Sequence, residues 1–199
     1  MYAGYDHCLG LNITRSLVKF DVSSIPAGTS ITQATLYLYL FDSCDSGNRS
    51  HTVTAYRTNG NWSESSVTWN NKPGLAESRG STVVQSRSPG WYSMNVTDLV
   101  RGWVNGSLTN HGLTLRGPES SGNSSAMVAF YTRESSSHDP YLSIQYAGMT
   151  ISEEVIPAVE EISTLTECGP TLKDTLGMFP GPSNYDVFEF TEQTVCSPD

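Results

Sequence analysis

The stretch 15–40, RSLVKFDVSSIPAGTSITQATLYLYL, constrains the fold more tightly than any other part of the chain. Two alternating runs flank a connection built from Ser23, Ser24, Pro26 and Gly28. In the second run Ala34, Leu36, Leu38 and Leu40 share one side and Thr35, Tyr37 and Tyr39 the other. That period of two is what a half-buried strand requires. In the first run Val18, Phe20 and Val22 alternate with Lys19 and Asp21. Proline fixes φ and removes a backbone donor, so Pro-Ala-Gly between the runs forbids one continuous helix.

The rest of the chain repeats this theme. Residues 2–11 read as a first strand and turn, 51–57 as a strand, and 81–86 with 91–96 as a hairpin around Ser88-Pro89-Gly90. Further strands are predicted at 112–116, 126–134 and 141–146. Thr97 reads as an N-cap, followed by Asp98 and by Leu99, Val100, Trp103 and Val104 at helical spacing, with Asn105-Gly106 as the stop. Many short strands with one brief helix predict an all-β fold, an antiparallel β-sandwich of jelly-roll type rather than a parallel α/β sheet.

At 199 residues and 37% hydrophobic content the chain suits one domain plus an appendage. No apolar run approaches the roughly 20 residues of a membrane-spanning helix. No basic-then-apolar leader is legible at Met1, so export is not read from that end. Charge is unevenly placed. Residues 1–148 hold 10 basic and 10 acidic residues, whereas 149–199 hold one basic residue, Lys173, and 10 acidic ones, so the tail supplies the whole net charge of -9. An acidic chain of this kind is a poor partner for nucleic acid.

Cys8, Cys44, Cys168 and Cys196 fit no CxxC zinc or redox motif. Three disulfide pairings exist; Cys8 with Cys44 and Cys168 with Cys196 is favoured because each bridge closes a loop within its own segment, and four buried thiols is the alternative. Six Asn-x-Ser/Thr sequons, at Asn12, Asn48, Asn61, Asn95, Asn105 and Asn123, suit an exported chain, although a Ser- and Asn-rich sequence generates such triplets by chance. A secreted or cell-surface location is the expectation.

Reaction signatures are missing: there is no GxSxG, HExxH, GxGxxG or Walker loop, and His7, His51, His111 and His138 have no ligand spacing. The chain is expected not to be an enzyme and to need no cofactor. The loop 41–49 offers Asp42, Asp45 and Asn48 as hard oxygen ligands suited to a structural calcium ion, with an ordinary Asx-turn loop as the plainer reading. Residues 61–73, NWSESSVTWNNKP, place Trp62, Trp69, Asn70 and Asn71 in one connection. Aromatic faces stack on sugar C–H groups while amides bind hydroxyls, and Tyr37 and Tyr39 are counted with these residues as candidate ligand contacts. The plainer reading of the two tryptophans is an apolar plug at one end of the sandwich.

From Met149 the composition changes. These 51 residues, acidic in balance and interrupted by Gly and Pro, are too few for an independent core. Such a segment gains order by docking, and the β pattern at 185–195, with Tyr185, Val187, Phe188, Phe190 and Val195, suits strand addition to a sheet edge. Two domains are therefore expected: a module over 1–148 and an extension over 149–199 that docks on its own or a neighbouring module.

Several motifs together carry a resemblance. RSLVKFDVSSIPAGTSITQATLYLYL, TAYRTNGNWSESSVTWNNKP (54–73), NVTDLVRGWVNG (95–106), HGLTLRGPE (111–119) and FYTRESSSHDPYLSIQY (130–146) occur in the order found in the DNRLRE (disaggregatase-related repeat) domain family, and the chain resembles that family over 1–147. The resemblance implies a secreted, non-catalytic β-sandwich, some relatives being carbohydrate-binding modules. Two departures are a first strand that starts abruptly at Met1-Tyr2-Ala3-Gly4 and the extension beyond Gly148. Two functions follow as expectations. One is an adhesive or polysaccharide-binding surface module whose partner is a polysaccharide or cell-surface glycan. The other is a subunit of an extracellular filament or sheath, a homopolymer in which the extension docks into the next protomer.

Overall fold

The computed structural model describes residues 1–6, 8–10, 12–45, 47–120, 126–147 and 190–196. Among these, ten strands and one helix form: β1 (Tyr2–Asp6), β2 (Asn12–Phe20), β3 (Ile31–Cys44), β4 (Ser50–Asn59), β5 (Gly74–Gln85), β6 (Gly90–Asn95), α1 (Thr97–Val104), β7 (Leu113–Arg116), β8 (Met127–Phe130), β9 (Tyr141–Tyr146) and β10 (Phe190–Cys196). The described pairings are all antiparallel, as the short Gly- and Pro-punctuated connections require. The predicted antiparallel sandwich is the observed fold.

Two layers are visible in the register. In the first, β6 lies along one edge of β3, and β9 and β8 share the other edge, because Leu36 faces Met94 on one side and Leu142 on the other, and Leu40 faces Gly90 and Phe130. The second runs β5-β4-β7-β2. Strand β1 joins the layers, pairing Ala3 with Val128 and Tyr5 with Ile13, so the whole sheet curls around one core. Leu36, Leu38, Leu40, Val53, Leu113, Leu115, Phe130, Leu142 and Ile144 are fully buried in that core. These are the inward residues of alternating strands, and each side chain of this size contributes about 1.5–3 kcal/mol on burial.

Helix α1 closes one end through Leu99, Val100, Trp103 and Val104. Its start differs from the expectation. Val96 occupies the N-cap, and Thr97 is the first helical residue. The Thr97 hydroxyl is engaged elsewhere, accepting from the Ala34 amide at 2.9 Å and donating to the Ala34 carbonyl at 3.3 Å, while Asn95 Oδ1 accepts from the Thr97 amide at 3.0 Å. The stop is as expected: Asn105 is the C-cap and Gly106 follows at φ 75°.

Two strand lengths also differ. Strand β5 starts at Gly74 rather than 81, because register shifts around Ala55, Tyr56 and Thr58 keep it paired to β4 while disguising its period. Strand β8 stops at Phe130, and residues 131–140 leave the sheet before β9 begins. Gly112 is obligatory: it enters β7 at φ 78°, and any Cβ there would collide with the Val18 carbonyl of β2.

Strand β10 occupies the edge of β2 opposite β1 and β7. Thr14 faces Gly4 on one side and Cys196 on the other, and Arg15 faces Arg116 and Val195. The ladder runs from Phe190 against Phe20 to Cys196 against Thr14. The other extension residues singled out for assembly, Tyr185, Val187 and Phe188, lie outside the described residues, as does Cys168.

Candidate functional site

Strand β3 alternates with strict consequence. Its inward residues fill the core, and its outward residues are Gln33, Thr35, Tyr37, Tyr39 and Phe41. Cross-strand register then sets neighbours beside each of them. Tyr39 stands opposite Trp91 of β6; Tyr37 stands between Ser93 of β6 and Tyr141 of β9; Thr35 stands between Asn95 and Ser143. An aromatic half and a hydroxyl-and-amide half therefore share one open face.

The connection 131–140 extends the aromatic half. The Tyr131 amide donates to the Tyr39 carbonyl at 3.0 Å, which brings the Tyr131 ring onto Phe41, 4.9 Å between centroids. His138, in the left-handed region at φ 64°, turns its imidazole to within 4.0 Å of the Tyr39 ring. Trp91 packs edge-on against both Tyr39, at 5.3 Å, and Tyr141, at 5.2 Å. Tyr37 and Tyr141 stack at 4.6 Å. Seven rings thus form one continuous patch on which Trp91 is 44% exposed and Phe41 38%. Burial, and the neighbouring Tyr37 phenol, push the Tyr141 hydroxyl above the ordinary tyrosine value, so it stays a neutral donor. Burial likewise raises the Asp139 carboxyl against the opposing effect of His138, and Asp139 Oδ1 is buried with no hydrogen-bond partner.

Chemically, such a face stacks apolar ring surfaces and hydrogen-bonds hydroxyls at its polar side. Its one hydroxyl–imidazole contact among the described residues joins neighbours in the 131–140 connection, His138 Nδ1 lying 2.9 Å from the exposed Ser137 hydroxyl. Away from the face, Asp45 with His51 and Ser86 forms a closed knot: His51 Nε2 lies 2.9 Å from Asp45 Oδ2, and the Ser86 hydroxyl donates to that same oxygen at 3.3 Å. The Gly47 amide donates to Oδ1 at 2.8 Å. Burial works to raise the Asp45 carboxyl, but the Gly47 and His51 hydrogen bonds and the Arg49 charge outweigh it and hold it below the usual range.

The residues expected from sequence are distributed over the molecule. Tyr37 and Tyr39 are at the centre of the aromatic face. Trp62 and Trp69 pack elsewhere, with Leu17 and Val67, in a satellite cluster outside the main core. The Trp62 indole donates to the His111 carbonyl at 2.8 Å, and the Lys72 ammonium covers the Trp69 ring at 3.8 Å. Asn71 serves its own loop, accepting from Thr68 and donating to the Ser66 carbonyl, while Asn70 is exposed. The calcium candidates have protein partners of their own: Asp45 as above, Asp42 Oδ1 with the Ser43 amide, and Asn48 Oδ1 with Gln85. Asp6, Cys8 and Cys44 do converge, yet both cysteines are joined in a disulfide. Of the sequons, Asn48, Asn61, Asn95 and Asn105 are exposed, Asn12 is half-buried, and Asn123 lies outside the described residues.

Sequence reasoning missed Phe41, Trp91, Tyr131, His138 and Tyr141. The alternation of Trp91, Ser93 and Asn95 was a usable signal for an outward row. Its register against Tyr39 was not.

Among the described residues no helix is long and apolar enough to cross a membrane. No curated protein matches the chain. The family comparison supports a carbohydrate-binding-module domain, a broader statement than the DNRLRE resemblance. The matched segment takes in every residue of the aromatic face: the family model of carbohydrate-binding module family 96 matches residues 9–146, and the chain belongs to that family.

Proposed function

We propose that this chain is a non-catalytic, extracellular polysaccharide-binding module of the DNRLRE kind, with the outward face of β3, β6 and β9 as its glycan platform. The observation that carries this reading is the continuous seven-ring patch beside uncharged hydroxyls and amides. Flat sugar faces bury apolar area on such rings at about 25 cal/mol per Å². Membership of a carbohydrate-binding family supports it, because such families are typically non-catalytic. The Cys8–Cys44 bridge supports an oxidising compartment. The alternative platform at Trp62 and Trp69 is less favourable, since both rings are already engaged by protein. Affinity electrophoresis through polysaccharide gels tests the reading: Trp91→Ala should abolish retardation at unchanged melting temperature, and Trp69→Ala should not. The opposite pattern would move the platform to the satellite cluster.

A second reading, a filament subunit, is favoured by one observation. Strand β10 lies along the β2 edge through backbone pairing that a neighbouring protomer's strand would reproduce, and head-to-tail exchange of that kind gives open fibres. Negative-stain microscopy of the full chain and of a variant ending at residue 148 tests it, since fibres should form only with the extension.

A further inference from the structure

Register divides the outward face of β3 into successive levels. Phe41 meets Tyr131, Tyr39 is flanked by Trp91 and His138, and Tyr37 lies between Ser93 and Tyr141. Thr35 follows between Asn95 and Ser143, and then Gln33 beside Gln145. Rings and hydrogen-bonding groups are therefore arranged in series along β3 rather than across it. Alternate residues of a strand are about 6.8 Å apart, so the steps from Gln33 to Tyr39 cover about 20 Å ahead of the Phe41 level, whereas the strands β6, β3 and β9 side by side span about 10 Å. The polar levels are open to a ligand. Ser93, Asn95 and Gln33 are exposed, and Asn95 commits its Oδ1 to the Thr97 amide, which leaves its Nδ2 as a donor.

From this arrangement we infer that the platform takes an internal stretch of an extended polysaccharide laid along β3, about four to five sugar units long, rather than a chain end or a single sugar; the inference rests on the platform reading above. A pyranose unit adds about 5 Å to an extended chain, so about four units reach from Gln33 to Tyr39 and a fifth reaches Phe41. Laid across the strands, a chain would meet either the rings or the amides, and about two of its units would find a partner. Laid along β3, it stacks C–H faces on Trp91, Tyr39 and Tyr37 and carries its next hydroxyls to Ser93, Asn95 and Gln33. Recognition of a chain end requires a concave pocket around it. Two cavities, one lined by Lys19 with Trp62 and the other by Lys19 with Trp103, include no residue of this face. Arg87 follows β5 at the level of Ser43, and Arg133 and His138 belong to the 131–140 connection beside the rings. Those groups bear on the charge of a ligand and not on the number of units it needs.

Isothermal titration calorimetry of the full chain and its Trp91→Ala variant, with β-linked oligosaccharide ladders of glucose, mannose and uronic acid from disaccharide to octasaccharide, decides the matter. The ladders cover neutral and charged sugars, so ligand charge does not fix the outcome. In at least one ladder Kd should fall about tenfold or more between disaccharide and pentasaccharide, level off beyond about six units, and weaken about tenfold in Trp91→Ala. Converting the reducing end of the longer members to the alditol should leave their Kd unchanged. Affinity already complete at the disaccharide, or lost with that conversion, yet still dependent on Trp91, would overturn the extended chain and leave the platform standing. Binding equal in both proteins, or absent from every ladder, would remove the platform and this inference with it.

Discussion

Tyr37 and Tyr141 stand directly opposite one another across the β3–β9 ladder, their rings 4.6 Å apart and 11° from parallel. Each is half-buried, so the pair both braces the sheet and forms one end of the aromatic patch. A double-mutant cycle with Tyr37→Ala and Tyr141→Ala, followed by urea denaturation, should give a coupling of about 0.5–1.5 kcal/mol, the usual worth of an aromatic pair beyond its buried area. Either single variant should also weaken glycan binding. Strictly additive stabilities would mean the two rings merely coincide.

Asp45 makes a different prediction, about pH. Its carboxyl is held below the ordinary aspartate value in the fold, so it stabilises the protein above about pH 4, the unfolded value, and that contribution disappears as pH falls through the folded value. Asp45→Ala strands the buried His51 and Ser86 and should cost about 3 kcal/mol at neutral pH. Asp45→Asn should flatten the acid limb of the stability curve. Denaturation midpoints between pH 2 and 7 measure both, and an Asn variant with the wild-type acid limb would assign that limb to other carboxylates.

What could be read from sequence, and what could not, follows from the range of the interactions. The inward and outward sides of β3 were legible because alternation is a local property of a strand. So was the helix stop at Asn105-Gly106, where one residue's φ decides the outcome. The aromatic face was not, because Trp91 and Tyr141 lie far from Tyr39 and Tyr37 in the chain and meet them only through register. For Trp62 and Trp69 the plainer expectation, an apolar plug, fits what is seen: both rings pack with Leu17 and Val67, and Lys72 covers the Trp69 ring. Cys8 and Cys44 were paired correctly, since a bridge inside one segment needs no long-range geometry.

That bridge should be worth about 3.8 kcal/mol, the loop-closure estimate for residues separated by 36 positions. It fastens the connection after β1 to the far end of β3, next to a carboxylate, Asp6, that accepts from the Cys8 and Leu9 amides. Thermal melts with and without reductant should show a clear fall in midpoint, reproduced without reductant by Cys8→Ser. Equal midpoints would mean that the surrounding hydrogen bonds alone hold the junction.

The seal of β10 on β2 can be broken by backbone chemistry alone. Successive amides of a strand point to opposite edges, so of Glu192→Pro and Gln193→Pro at least one must remove a donor directed at the Val18 or Leu17 region of β2. In that variant, alternate amides of β2 between Thr14 and Phe20 should exchange faster with deuterium. The uncovered edge should also self-associate as concentration rises, because an unpaired strand edge is adhesive. Light scattering reads the second effect and hydrogen exchange the first. Exchange matching wild type in both variants would show that β10 leaves β2 unprotected in solution, and faster exchange without association would show that the uncovered edge is too short or too twisted to recruit a second copy.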